Sequence, residues 1–195
     1  MTIKYNNVFI EDAYTICGNY ENDGPLSKYF DKKYEKDLYF GEKSWEQAEV
    51  HLLKEANTNI LKKNKLKEED IDLLISGDLQ NQIAASNYMA REFNIPFLGI
   101  FEACSTSGEG LAIGSTYIEG GFAQKILVST SSHNMAAEKQ FRNPTEYGTP
   151  KPKTATFTST GGVSILLSNK KSKVKVESAT IGKVVDMGTT DVNHM

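Results

Sequence analysis

The segment running from Pro96 to Tyr117 does most to limit what this chain can fold into. Residues 96–103 form a short apolar run bounded by proline and by small polar residues, the pattern of a buried strand. After Cys104 come Ser105, Thr106 and Ser107, and then Leu111, Ile113, Tyr117 and Ile118 at spacings that fall near one helical face. A strand that gives way to a helix at a cysteine sets the thiol at the helix's amino end. Unpaired backbone N–H groups and the macrodipole there favour an anion, either the thiolate itself or a carboxylate ligand. The local residues leave both open, beside the plainer alternative that Cys104 is a small buried hydrophobe.

The same alternation continues on either side. Residues 8–17 are rich in β-branched and aromatic side chains and read as a strand, broken near Glu11-Asp12. Residues 18–41 read as a long loop turning at Gly24-Pro25, and Tyr29, Phe30, Tyr34, Tyr39 and Phe40 predict that it packs down. Ser44 with Gln47 is a capping-box pattern. Trp45, Ala48, Leu52, Leu53, Ala56 and Ile60 then form the stripe of a helix to about residue 63, with His51 on its flank. A strand over 71–76 ends at a polar mouth, 77–82, followed by a helix over 83–93. The helix after Cys104 stops at Gly120-Gly121, a glycine C-cap. A strand over 125–131 ends at Ser132-His133-Asn134, residues 140–156 read as a second long loop, and strands over 161–167 and 174–181 flank a basic turn. This order predicts an α/β fold: a mostly parallel sheet covered on both faces, the terminal pair adding an antiparallel edge. Ligands in such sheets sit beyond the carboxyl ends of the strands. The candidate site is therefore 77–82, Cys104 with its hydroxyl neighbours, and 131–134. His133 alone among the histidines falls at a strand's carboxyl end, although a loop histidine is often only structural or solvated.

Composition narrows the functional classes. At 195 residues the chain fits one domain, 1–195, with a real core. A net charge of -3, with 39% hydrophobic and 24% charged residues, provides no basic field for nucleic acid. Two cysteines, Cys17 and Cys104, make no disulfide framework, so a reducing compartment is expected. The amino terminus lacks the apolar core of a signal peptide, and no apolar run approaches the roughly 18–20 residues of a membrane span. A membrane role would be peripheral or through a partner. No cofactor motif and no metal-ligand cluster is visible in the sequence.

The turn Ala103-Cys104-Ser105-Thr106-Ser107 resembles the nucleophile turn of the thiolase and ketoacyl-synthase superfamily. More narrowly, stretches 24–30, 41–46, 77–82, 90–92, 95–99, 103–107, 120–123, 130–134, 140–142, 144–148 and 179–182 resemble, in order, the stage V sporulation protein AD family. That resemblance implies a thiolase-like half: a five-stranded mixed sheet with three crossover helices. It implies non-catalytic binding of dipicolinic acid, or its calcium chelate, for transport into and out of bacterial endospores. Other membrane channel proteins of the stage V A operon are the implied partners, the spore inner membrane the implied, peripheral location, and a homodimer the implied assembly. Carried onto this chain, the pocket would be lined by Cys104, with Ser132 and His133 added for their position and Arg142 a further candidate for a carboxylate. Calcium would arrive with the chelate. Superfamily members have two such halves, and this chain matches the first. The histidines, or histidine and asparagine, that superfamily enzymes draw from the second half have no counterpart, which removes the acid–base partners of a condensing reaction. The alternatives are an acyl-thioester condensing or acyltransferase enzyme using Cys104 as nucleophile, and an assembly subunit with a vestigial pocket.

Overall fold

Two periodicities divide the chain, and the computed structural model, which describes residues 1–141 and 158–190, shows where each takes hold. The extended segments are β1 (Thr2–Lys4), β2 (Phe9–Cys17), β3 (Lys32–Lys33), β4 (Leu73–Gly77), β5 (Phe97–Gly99), β6 (Lys125–Ser132), β7 (Gly161–Ser168), β8 (Val174–Lys175) and β9 (Ser178–Thr180). The helices are α1 (Asn19–Asn22), α2 (Trp45–Asn64), α3 (Ala84–Ala90), α4 (Thr106–Glu119) and α5 (Asn134–Phe141). The main sheet has the order β3-β2-β7-β6-β4-β5, with β8 added to β2, while β1 and β9 pair separately. Helices α2, α3 and α4 are the three expected crossovers, joining β2 to β4, β4 to β5 and β5 to β6.

The mixed α/β architecture is as expected, but the sheet has seven strands rather than five. Strands β2, β7, β6, β4 and β5 form the expected set, and two-residue β3 and β8 extend it on β2. The antiparallel strand also lies elsewhere than predicted: β7 runs antiparallel between β2 and β6, in the middle of the sheet. Its adjacent Leu166 and Leu167 are both buried, and because neighbouring strand residues face opposite sides, β7 is covered on both faces and belongs in the interior. The residues read as one last strand split, β8 pairing with β2 and β9 with β1. Helix α5, where the sequence showed only a strand end and a loop, forms on the small residues Ala136 and Ala137, both buried, which lack a bulky apolar stripe.

Alternation along the strands builds two cores. Leu74, Leu127 and Leu166 face α2 and α3, packing with Leu53, Ile60, Ala85 and Met89. Ile75, Ile126, Val128 and Leu167 face the other way, toward Ile118 of α4. Each such side chain contributes roughly 1.5–3 kcal/mol by leaving water. Helix α2 starts as predicted: the Ser44 side chain accepts from the Gln47 backbone N–H at 3.2 Å. Helix α4 keeps most of its predicted face, Ile118 buried and Leu111 and Ile113 packed against the same core, but its line of closest approach to the sheet is a different one. Thr106, Gly110, Gly114 and Ile118 are buried at four-residue spacing, whereas Tyr117 is exposed. A Cβ on Gly110 would lie 2.6 Å from Val128 Cγ1, so the helix approaches the sheet through its small residues. It ends at Gly120, and Gly121 takes the left-handed conformation, φ +74°, that glycine favours.

Other predicted boundaries move inward. Helix α3 begins only after Gln82 and Ile83, both left-handed, and β5 keeps three of the eight residues predicted as strand. The break in β2 is a register shift between Ile10 and Asp12, as Glu11-Asp12 suggested. The first long loop packs down: Phe40 is buried with Ala48, Leu52 and Ala56, and the Tyr34 hydroxyl donates to Glu55 Oε2 at 2.8 Å. His51, half-buried, lies 3.1 Å from the same hydroxyl. Among the described residues no helix is long and apolar enough to cross a membrane.

Candidate ligand site

Three parallel strands end side by side. Register pairs Ser76 with Gly99 and Gly77 with Thr130, so β4, β5 and β6 deliver their carboxyl-terminal residues to one end of the sheet. The loop after β5 closes over the end of β4: a Cβ on Gly77 would fall 2.2 Å from the Ile100 carbonyl oxygen and 2.5 Å from Thr106 Cγ2. Ala103 then adopts a left-handed φ of 45°, and Cys104 sits in the 3-10 turn Ala103–Ser105 that leads into α4. The hydroxyls around it serve the turn itself. Thr106 Oγ1 donates to the Ala103 carbonyl at 2.8 Å and accepts from the Glu102 N–H at 3.2 Å, and Ser105 Oγ donates to the Glu102 carbonyl at 2.9 Å. Cys104 is exposed at the amino end of the helix, which excludes the buried-hydrophobe alternative; Cys17 is the buried cysteine, its thiol pKa raised by burial. Glu109, in the first turn of α4, is also raised, by burial and then by the charge of Glu102.

Ser132 and His133 leave the same end of the sheet but lie under cover. His133 is fully buried, and its Nε2 is 2.8 Å from the Leu38 carbonyl oxygen. A carbonyl only accepts, so Nε2 carries the proton and Nδ1 is a bare lone pair. Nδ1 is buried and has no hydrogen-bond partner among the described residues, and Ser132 Oγ is in the same condition. Burial holds the His133 pKa below the ordinary imidazole value, and the ring of Phe40 stands edge-on 5.8 Å away. Cys104 therefore faces solvent while the first long loop seals His133. Arg142 lies outside the described residues.

Between these rims stands a polar cluster that joins the predicted segments 77–82 and 131–134 through a residue the sequence analysis did not single out, Glu49. Glu49 of α2 is fully buried, with Gln80 Nε2 donating to its Oε2 at 2.9 Å and Ser131 Oγ donating to its Oε1 at 2.9 Å. Asp78 accepts from the Gln80 N–H at 2.9 Å and from the Ser86 N–H at 2.7 Å. Burial first, and the neighbouring charge of Asp78, push the Glu49 pKa up to about 7 against hydrogen bonds that lower it. Eight residues along, Asn57 is buried on the same side of α2, bonded to Ser129 and Ser164 of β6 and β7. The readable signal was that Glu49 and Asn57 interrupt an apolar stripe at its own helical spacing. A groove of about 900 Å³ runs instead along the outer faces of α2 and α3, past Val50, Lys54, Tyr88 and Arg91, and neither Cys104 nor His133 lines it. Among the described residues no group of three or more His, Cys, Asp and Glu is placed to hold a metal ion.

A central antiparallel strand in a mostly parallel sheet, and an exposed cysteine where strand becomes helix, define a thiolase-like half. Solved structures agree on the fold: OleA of Xanthomonas campestris superposes with a TM-score of 0.55 at 13% identity, over 85% of this chain and 59% of that one. 3-Oxoacyl-(acyl carrier protein) synthase III, FabH, of Xanthomonas oryzae pv. oryzae gives 0.54 at 15%, over 85% and 57%. Within that class, the model of the family described as Stage V sporulation protein AD (SpoVAD) matches residues 1–195. Stage V sporulation protein AD of Bacillus subtilis (strain 168) is 50% identical over 184 residues, 94% of this chain and 54% of the relative. The chain belongs to the SpoVAD family, which supports a role in sporulation, and it spans about half the length of this curated relative.

Proposed function

We propose that this chain contributes the dipicolinate-binding half of a sporulation protein, recognising dipicolinic acid or its calcium chelate without catalysing a reaction. Membership of the family along the whole chain carries this reading. The chemistry of the site supports it: Cys104 stands open at the start of a fourteen-residue helix, whose amino end favours a carboxylate. Ser132 and His133, at the adjoining strand end but under the first long loop, would support the pocket from behind rather than touch the ligand. His133 is neutral and committed to the Leu38 carbonyl, and the Cys104 thiol makes no hydrogen bond to a base among the described residues. Both observations favour binding over nucleophilic chemistry. The protein would act peripherally at the spore inner membrane with other channel proteins of the stage V A operon.

Calorimetric titration with dipicolinic acid, with and without calcium, tests the reading, with Cys104→Trp run alongside to fill the pocket. Saturable binding that the variant loses is the expected result. An absence of binding by the folded full-length protein would sink it.

A further inference from the structure

Glu49 belongs to neither rim of the mouth and touches both. It projects from the opening turns of α2, and its oxygens take hydrogen bonds from Gln80, in the segment after β4, and from Ser131, at the end of β6. The backbone N–H of His133 also approaches the carboxyl and favours its charged form. We propose that Glu49 is the positioning residue of the ligand mouth, and that gain or loss of its proton tightens or loosens segment 77–82 against residues 131–133. As a statement about ligand this rests on the reading above; the coupling itself belongs to the empty protein as well.

The surroundings set the direction. Asp78 faces Glu49 from the segment after β4, and just beyond β6 the backbone of His133 approaches it, while the His133 ring turns to the Leu38 carbonyl. Glu46, one turn earlier on α2, is paired with Lys139 of α5 at 3.3 Å, and from α3 the Ser86 N–H donates to Asp78 while its hydroxyl accepts from Ser76. With its proton on, Glu49 shares the site with the Asp78 carboxylate without repulsion. It can donate to Ser131, whose hydroxyl turns to accept, and still accept from Gln80. With the proton off, two buried carboxylates stand together with no cation in the cluster among the described residues, an arrangement relieved by admitting water. The element free to yield is the part of 77–82 beyond the end of β4, which runs out into the left-handed pair Gln82 and Ile83; residue 131 lies within β6, hydrogen-bonded to a strand on each side. A midpoint of about 7 places the change near neutrality.

Amide hydrogen exchange of the wild-type protein and of Glu49→Gln, corrected for intrinsic exchange, tests the coupling. Protection of 77–82 should fall about tenfold in the wild type between about pH 6 and about pH 8, and stay flat in the variant. Carboxyl-carbon NMR of the wild type needs no variant and should show one side-chain carboxyl titrating near neutrality. Equal exchange profiles in the two proteins, or a Glu49 carboxyl titrating in the ordinary range, would overturn the proposal. Dipicolinate's carboxyls stay ionised across this interval, so its affinity should weaken about tenfold in the wild type and not in Glu49→Gln. An exchange difference without ligand binding at any pH would reject the ligand reading alone; ligand binding without an exchange difference would reject the positioning role alone.

Discussion

A carboxyl buried on a helix face that otherwise meets hydrocarbon alters stability as well as geometry. The native pKa of Glu49, about 7, lies above its ordinary 4.5, so the folded protein holds a proton that the unfolded chain gives up. The associated stability is fully present below the lower value and is lost as pH rises through the higher one. Urea unfolding at about pH 5 and about pH 8 should show the wild type losing up to about 3 kcal/mol relative to Glu49→Gln across that interval. His133 works in the opposite sense: its lowered pKa adds stability above the ordinary imidazole value, which falls away as pH drops, so the comparison with Glu49→Gln isolates the carboxyl. Residue-scale features were readable where their causes are local. The Ser44 cap, the Gly121 turn and the Cys104 turn each depend on a few neighbouring residues. The sealing of His133 was not readable, because the carbonyl that accepts its hydrogen bond comes from Leu38, 95 residues earlier.

At the scale of elements, α4 carries the clearest constraint, since it reaches the sheet through glycine. Gly110→Ala would press a methyl into Val128 and lift the helix that bears Cys104 at its head. The expected cost is about 1–3 kcal/mol in thermal or urea unfolding, with dipicolinate affinity falling alongside. Gly108→Ala, two residues away where a Cβ would meet nothing within 4 Å, should instead gain roughly 0.5–1 kcal/mol from helix propensity. A destabilised Gly108→Ala, or an indifferent Gly110→Ala, would contradict this packing. The helix and most of its apolar face were legible from periodicity, but its line of closest approach to the sheet was not. Hydropathy pointed to Leu111, Ile113, Tyr117 and Ile118, whereas close approach selected the row with the least volume. Helix α5 escaped notice for the same reason, being anchored by Ala136 and Ala137.

At the scale of the molecule, alternating strands and helices were enough to predict the layered α/β plan and to bring three strand ends together. Strand order was beyond local reading, because β7 pairs with partners on both sides, one of them about 150 residues away in sequence. Strand β5 closes the sheet with an edge that no described strand covers. We propose that the protein is a homodimer; sedimentation equilibrium should return twice the chain mass, and a concentration-independent monomer would refute this.

The central place of β7 also has a kinetic meaning. On a ribosome β2 emerges first and β6 well after it, yet neither can acquire its shared neighbour until residues 161–168 are made. Until then the nascent chain carries two incomplete sheets with raw facing edges, and the last strand enters like a keystone between them. Such late, long-range closure makes for slow folding and a window in which premature pairing with other chains competes.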